Sequence, residues 1–184
     1  MLLFVWSGYN RKLHREDRRR RQRFIRDSLA CSANAGQKFI KTTEGSDFTD
    51  ELKASAKAFG DTKKKDNVMT EAEKVFLETG KNIYVGDAAA EKRGKKRFGY
   101  WSCTQCHGPT AKGQVGPGLV GPTFRYPKDI TNKGMFETVW YGTNGGMGGK
   151  GFGVMSPDDG MTVDELLKTI AWIRTNGSQG VTGN

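Results

Sequence analysis

The chain has 184 residues, of which 35% are hydrophobic and 27% are charged, and its formal net charge is +10. This length and composition suit one domain with a single small core and an extension. The charge is uneven, because residues 1–35 carry a net +6 and residues 36–184 only +4, which argues against a nucleic-acid-binding domain. No stretch reaches the ~18 apolar residues of a transmembrane helix, so we expect no stable membrane insertion.

Residues 1–35 form a strongly basic leader that differs from an ordinary secretory signal. A signal needs an apolar stretch of roughly 7 to 15 residues, which is missing, and a small-residue cleavage site, which Ala33-Asn34-Ala35 supplies. We interpret the leader as a mis-started or unprocessed export signal that is cleaved after Ala35. The alternative is a disordered basic tail.

Helical signals begin after a polar, lysine-rich segment. Residues 36–69 are expected to form an extended N-terminal arm with one weak helix near residues 50–59. The sequence Thr70-Glu71-Ala72-Glu73 is a capping box that opens a short helix, which Gly80 should close. Asp87 can cap a second helix that leads into the first cysteine of the pair discussed below.

The second half of the chain combines long glycine-rich loops with one clear helix. Residues 142–153 contain seven glycines, but no strand precedes them and no Ser or Thr follows Lys150, so we reject a phosphate-binding loop. Thr162 and Glu165 form another capping box, and a helical apolar pattern follows it up to Gly177. The fold is therefore predicted to be mostly α, with its folded domain over residues 70–177 and a flexible tail over 178–184.

The stretch "GYWSCTQCHG", residues 99–108, carries the chemistry. Cys103-x-x-Cys106 alone would suit a zinc site or a redox pair, but zinc would need His14 or Cys31 from the leader, and a redox pair would need a βαβ pattern. With His107 directly adjacent, the motif is the attachment signature of c-type haem, in which both thiols bind the haem vinyl groups and the imidazole ligates iron.

The surrounding residues resemble class I cytochromes c. Gly94 to Phe98 resembles their first helix, in which a glycine allows close crossing with the C-terminal helix. The resemblance implies a crossing point here around residues 170–173, with Trp172 packed on the aromatic side chain. The segment around Pro117 resembles the family loop whose proline carbonyl accepts the axial histidine's N–H. The implied fold is a class I cytochrome c fold with an N-terminal extension.

Four segments together narrow the resemblance to the cytochrome cL family: "VFLETGKNIYVGD", "GQVGPGL", "YGTNGGMG" and "MTVDELLKTIAWIR". The similarity covers roughly residues 60–175. It implies a periplasmic electron carrier, not an enzyme, with one covalent haem c. Its expected donor is a quinone-dependent (PQQ) methanol dehydrogenase, and its expected acceptor is a downstream cytochrome c. The chain departs from the acidic character associated with this family.

The sixth iron ligand must be chosen among the methionines that follow His107. Met155, in "GVMSPDDG", lies shortly before the last helix and resembles the ligand loop of small bacterial cytochromes c. We therefore predict His107 and Met155 as the iron ligands, with Met147 as the alternative. Met135 and Met161 are assigned to core packing.

Basic loop residues offer a candidate docking surface. Lys112, Arg125, Lys128 and Lys133 follow the haem motif and could surround an exposed haem edge, although solvated loop charges are the alternative interpretation. Two other functions also stay open. One is a generic soluble cytochrome c that serves another dehydrogenase or a terminal oxidase, and the other is a haem peroxidase or sensor with an open sixth position.

Overall fold

The fold of the chain, in a computed structural model, is described for residues 36–59, 68–176 and 183–184. Every named element in these ranges is helical, which confirms the mostly α prediction. The leader with its cleavage site at Ala35, and Gly177 with most of the tail, lie outside the described residues. The helices are α1 (Thr49–Phe59), α2 (Glu71–Thr79), α3 (Ala88–Tyr100), α4 (Cys103–His107), α5 (Asn132–Tyr141) and α6 (Val163–Thr175), with a 3₁₀ turn at Pro127–Ile130 before α5.

The helix ends follow the capping residues in the sequence. Thr70 and Thr162 each accept a hydrogen bond from the backbone of the glutamate three residues later, and that glutamate's carboxylate accepts one in return. Asp87 accepts hydrogen bonds from two backbone amides in the first turn of α3. Gly80 ends α2 with a φ of 75°, a left-handed conformation that glycine adopts without steric cost.

Helices α3 and α6 cross in close contact. A side chain at Gly94 would overlap the backbone of Lys168 and Thr169, so only glycine allows this approach. One turn later, the rings of Phe98 and Trp172 pack with their centroids 4.9 Å apart. The backbone contact thus falls just before the expected 170–173 segment, while the aromatic pair forms as the resemblance implied.

The described part of the N-terminal segment packs into the core, which differs from the extended arm that we expected. Phe39, Phe48 and Leu52 are buried. The ring of Phe39 lies 5.3 Å from that of Phe76 and 6.0 Å from that of Phe136. The polar, lysine-rich composition hid these apolar positions, because most of the residues around them are polar and exposed or half-buried while the phenylalanines fill the core.

Long loops connect α4 to α5 and α5 to α6, and they complete the walls of the site. Within the described residues, β-type backbone pairing is limited to isolated bridges, such as Gly142 with Gly148 and Gly151 with Met161 inside the α5–α6 loop. Among the helices that the structure describes, none is both long and apolar enough to span a bilayer.

Candidate haem site

A sharp turn between α3 and α4 presents the two cysteines and the histidine. α3 ends where the Trp101 amide donates to the Arg97 carbonyl, and Ser102 then adopts a left-handed φ of 60°. This reversal starts α4, a single helical turn from Cys103 to His107 that Gly108 ends. The two thiols and the imidazole therefore come from one turn, which is the arrangement that a single macrocycle requires.

The orientation of His107 is fixed by a backbone carbonyl. Its Nδ1 lies 2.8 Å from the carbonyl oxygen of Pro117. Because a carbonyl can only accept, Nδ1 carries the hydrogen and donates it, and Nε2 keeps the lone pair that a metal needs. The ring is buried, and a hydrogen bond of this kind fixes the tautomer and orientation of a histidine ligand.

Two further backbone hydrogen bonds hold the Pro117 loop against α4. The Gly116 amide donates to the Cys106 carbonyl at 2.7 Å, and the Gly113 amide donates to the His107 carbonyl at 3.0 Å. A side chain at Gly116 would come within 3.2 Å of the His107 ring. Glycine at this position therefore lets the loop approach closely enough for Pro117 to reach the imidazole.

Two adjacent cavities meet at His107. The larger, of about 560 Å³, is lined by Cys106, His107, Pro117 and the loop residues that follow. The smaller, of about 40 Å³, is lined by Cys103 and apolar side chains of α5 and α6. The larger volume lies within the roughly 300–1,000 Å³ of ligand and cofactor pockets. The cavities, the two thiols and the imidazole fit a covalent haem.

The two thiols occupy different surroundings. Cys103 is half-buried and Cys106 is exposed, and both are free of a disulfide. Burial raises the pKa of the Cys103 thiol, so this group is held in its protonated form at neutral pH. Cys106 borders the larger cavity and Cys103 borders the smaller one.

The methionine geometry differs from the prediction for the sixth ligand. Met155 is 38% exposed and lines neither of the two cavities, so the structure does not support its assignment as a ligand. Met147 lines both, together with His107. Met147 lies in a tight, glycine-rich turn in which the Thr143 amide donates to the Met147 carbonyl at 2.8 Å. Met135 and Met161 are buried, in agreement with core packing.

One wall contains an acidic side chain that the sequence analysis missed, and a buried arginine that it also missed binds the backbone of this residue. Asp129 lines both cavities and accepts a 2.7 Å hydrogen bond from the Thr138 hydroxyl. Burial raises the pKa of Asp129. Arg174 donates to the Asp129 carbonyl, and burial lowers the pKa of its guanidinium to about 10. Nothing in the helical pattern distinguished Arg174 from a solvent-exposed cation in the last turn of α6.

Two of the four basic loop residues are engaged in structural ion pairs. Lys128 and Lys133 lie 3.2 Å and 3.0 Å from the carboxylate of Glu137, which is buried. Lys128 also donates to the Thr42 hydroxyl at 2.7 Å, which ties the N-terminal segment to the domain. These two lysines therefore have a structural role. Lys112 and Arg125 are exposed, and Arg125 borders the larger cavity.

Comparison with known proteins supports the same chemistry. Residues 91–177 match the family model described as "Cytochrome c". The chain is 43% identical over 105 residues to cytochrome c-L of Methylorubrum extorquens, a match that covers 57% of this chain and 49% of that protein. The chain thus spans about half the length of this curated relative.

Two solved structures are also similar. The crystal structure of cytochrome cL from the marine methylotrophic bacterium Methylophaga aminisulfidivorans superposes with a TM-score of 0.60 at 34% identity, over 76% of this chain and 80% of that one. Cytochrome cL from Hyphomicrobium denitrificans gives the same TM-score and identity, over 76% and 73% of the two chains.

Proposed function

Because this chain belongs to the cytochrome c family and is a homologue of cytochrome cL, we propose that Cys103, Cys106 and His107 attach its haem c. Membership of the family makes it an electron carrier with a covalently bound haem. The observation that supports the site assignment is the His107–Pro117 hydrogen bond, which leaves Nε2 of His107 as the nitrogen available for a metal.

The chain's own residues position and tune the group. When bound, haem c supplies a one-electron ferric/ferrous couple. The thiols of Cys103 and Cys106 would hold it by thioether bonds, and His107 would offer Nε2 while the Pro117 carbonyl keeps the ring from rotating. Met147 would supply a thioether ligand to the iron, because it shares both cavities with His107. A thioether ligand stabilises the ferrous state and raises the reduction potential.

We further infer that the protein is periplasmic and accepts single electrons from a methanol dehydrogenase that contains PQQ. The support is the name and sequence similarity of the cytochrome cL relatives. A downstream cytochrome c would then receive the electrons. Such exchanges use small, transient interfaces, so no large apolar docking surface is required.

Haem attachment is tested by removing the thiols. The Cys103→Ala and Cys106→Ala single variants should keep one thioether bond each, and the double variant should lose covalent haem on a denaturing gel stained for haem. The Cys31→Ala variant is the matched control and should attach haem like the wild type. Covalent haem in the double variant would refute the assignment.

The donor is tested with the haem-loaded protein by stopped-flow reduction. We expect reduced methanol dehydrogenase to reduce the haem in a second-order reaction, faster than a quinone-dependent dehydrogenase for a different substrate class. Equal rates with both donors would instead favour a generic soluble cytochrome c.

A further inference from the structure

The loop that carries Met147 has little packing of its own. Six of the ten residues in this Met147 loop, 142–151, are glycine, and the stretch from Asn144 to Gly146 is exposed. Glycine has no side chain to pack, and it loses more conformational freedom on folding than any other residue. The direction of Met147 toward the two cavities therefore depends on how the ends of the loop are held.

The base of the Met147 loop is attached to the end of α5. The Lys150 amide donates to the Val139 carbonyl at 3.0 Å, and the Gly151 amide donates to the Trp140 carbonyl at 3.1 Å. Tyr141 is the last residue of α5, and the loop starts directly after it. Contacts that fix Tyr141 therefore also fix the base of the loop.

The N-terminal segment holds Tyr141 through three side chains. The Tyr141 ring packs on the buried Phe48 with the centroids 4.7 Å apart, and Lys41 Nζ lies 4.6 Å from the Tyr141 centroid. The Tyr141 hydroxyl donates to the carboxylate of Glu51 in α1. Burial and this hydrogen bond raise the pKa of the Tyr141 phenol, so the hydroxyl remains a donor at neutral pH.

The same helix contacts the other end of the loop. Phe59 ends α1, and its ring lies 4.0 Å from that of Phe152, the residue that follows the Met147 loop. The Phe152 amide donates to the Met161 carbonyl at 2.9 Å, which joins this end to the start of α6. Glu51 and Phe59 are eight residues apart, a rise of about 12 Å along the helix. α1 thus reaches from one end of the loop to the other.

These contacts give α1 a role at the haem site although it lies outside the cavities. We propose that Glu51 and Phe59 are positioning residues: they hold both ends of the Met147 loop through Tyr141 and Phe152, and so keep Met147 directed into the cavities. The inference rests on the proposed function, in which Met147 is an iron ligand. A loop released from α1 would leave the sixth position open for part of the time and accessible to small external ligands.

The test compares the haem-loaded wild type with Glu51→Ala/Phe59→Ala, the α1 variant. Glu51 is exposed and Phe59 is half-buried, so this change leaves the buried core side chains of α1 in place. Phe39→Leu is the matched control for a loss of packing, because the Phe39 ring packs in the core against Phe76 and Phe136. Urea unfolding of each protein measures the general loss of stability.

The first readout is the affinity of the oxidised protein for imidazole. Imidazole must displace the methionine thioether, so its observed affinity rises with the fraction of open sites. We expect about tenfold tighter binding in the α1 variant and a change of less than about twofold in Phe39→Leu. The conservative Glu51→Gln/Phe59→Leu variant keeps an oxygen acceptor and an apolar side chain, and it should bind imidazole like the wild type.

A double-mutant cycle shows whether the effect acts through the methionine. In the Met147→Ala background no thioether is left to position, so the α1 substitutions should change imidazole affinity by less than about twofold.

The second readout, amide hydrogen exchange, reports on the loop itself. The amides of Thr143, Lys150 and Gly151 donate the hydrogen bonds that shape the loop, and they should exchange about tenfold faster in the α1 variant. Amides of α6 should change only as far as the global stability changes, in this variant and in Phe39→Leu alike.

Four results would overturn the inference: unchanged imidazole affinity in the α1 variant, unchanged exchange of the loop amides, an equal gain in affinity in Phe39→Leu, or a gain that persists in the Met147→Ala background. The proposed function is read separately, from Met147→Ala alone. Imidazole affinity equal to that of the wild type in this variant would refute Met147 as an iron ligand, and the inference would fall with it.

Discussion

The backbone of Gly94 touches the backbone of Lys168, and no other residue type fits between α3 and α6 at this point. This contact sets the distance between the helix that leads into the haem motif and the helix that closes the cavity. Its loss should therefore affect stability and the haem environment together.

Gly94→Ala tests the crossing. The added methyl group would overlap the Lys168 carbonyl, so we expect a loss of about 1–3 kcal/mol in the free energy of unfolding, as for other overpacked sites. Urea unfolding of the haem-loaded protein measures it. The matched control is Gly99→Ala on the same helix, where nothing lies within 4 Å and a change between zero and a gain of about 1 kcal/mol is expected. Equal free energies of unfolding for Gly94→Ala and Gly99→Ala would contradict the close crossing of α3 and α6.

The sixth-ligand proposal separates Met147 from Met155. Met147→Ala should lose the weak far-red sulfur-to-iron band of the oxidised protein, bind carbon monoxide readily when reduced, and show a lower reduction potential, because the soft thioether is gone. Met155→Ala is the control, since its side chain is partly exposed and borders neither cavity. A band that survives in Met147→Ala and disappears in Met155→Ala would restore the original assignment.

The buried Glu137 should make Lys128 and Lys133 necessary for stability. Replacing both lysines with Met leaves this carboxylate without its two cations. We expect a loss of about 1–3 kcal/mol, less than the ~3–5 kcal/mol of a fully buried pair because the lysine side chains are about a third exposed. The control replaces the exposed Lys112 and Arg125 with Met. An unchanged free energy of unfolding in the Lys128→Met/Lys133→Met variant would contradict the structural role and favour a docking role for both lysines.

Asp129 should make stability depend on pH. Burial raises the pKa of its carboxyl in the folded state, so the folded protein binds more protons than the unfolded chain and stability falls as the pH rises above about 3.8. Asp129→Asn keeps an oxygen for the Thr138 hydroxyl and removes this ionisation. The variant should be at least as stable as the wild type at neutral pH, with a flatter dependence between pH 3 and 7. The exposed Asp158→Asn serves as the control in the same urea titrations, and an identical pH profile for both variants would contradict the prediction.

Local signals in the sequence were sufficient for much of the fold. Each capping box joins residues three positions apart, so Thr70 and Thr162 were identifiable without knowledge of tertiary contacts. The motif of Cys103, Cys106 and His107 is equally local. The Pro117 contact and the Phe98–Trp172 pair are long-range, and they were expected only through resemblance to class I cytochromes c.

What the sequence concealed depends on long-range packing. The choice between Met147 and Met155 depends on which loop turns into the cavity, and both methionines lie among glycines whose conformations the sequence leaves open. The burial of Phe39 depends on a gap between α2 and α5 that only the assembled helices form. Lys128 looked like a loop charge because its partner Glu137 lies nine residues further on. The pair of Lys133 with Glu137 has the local i, i+4 spacing on α5, which the sequence analysis overlooked.

The burial of Phe39 sets a limit on maturation by proteolysis. Its ring is fully enclosed, its amide donates to the Thr49 hydroxyl, and its carbonyl accepts from Phe48. A processing enzyme that cuts after Ala35 would leave three residues, 36–38, before this anchored position. A cut or exopeptidase trimming beyond Lys38 would remove a core side chain and open the aromatic cluster to water. The folded domain itself therefore defines how far an exported chain can be shortened.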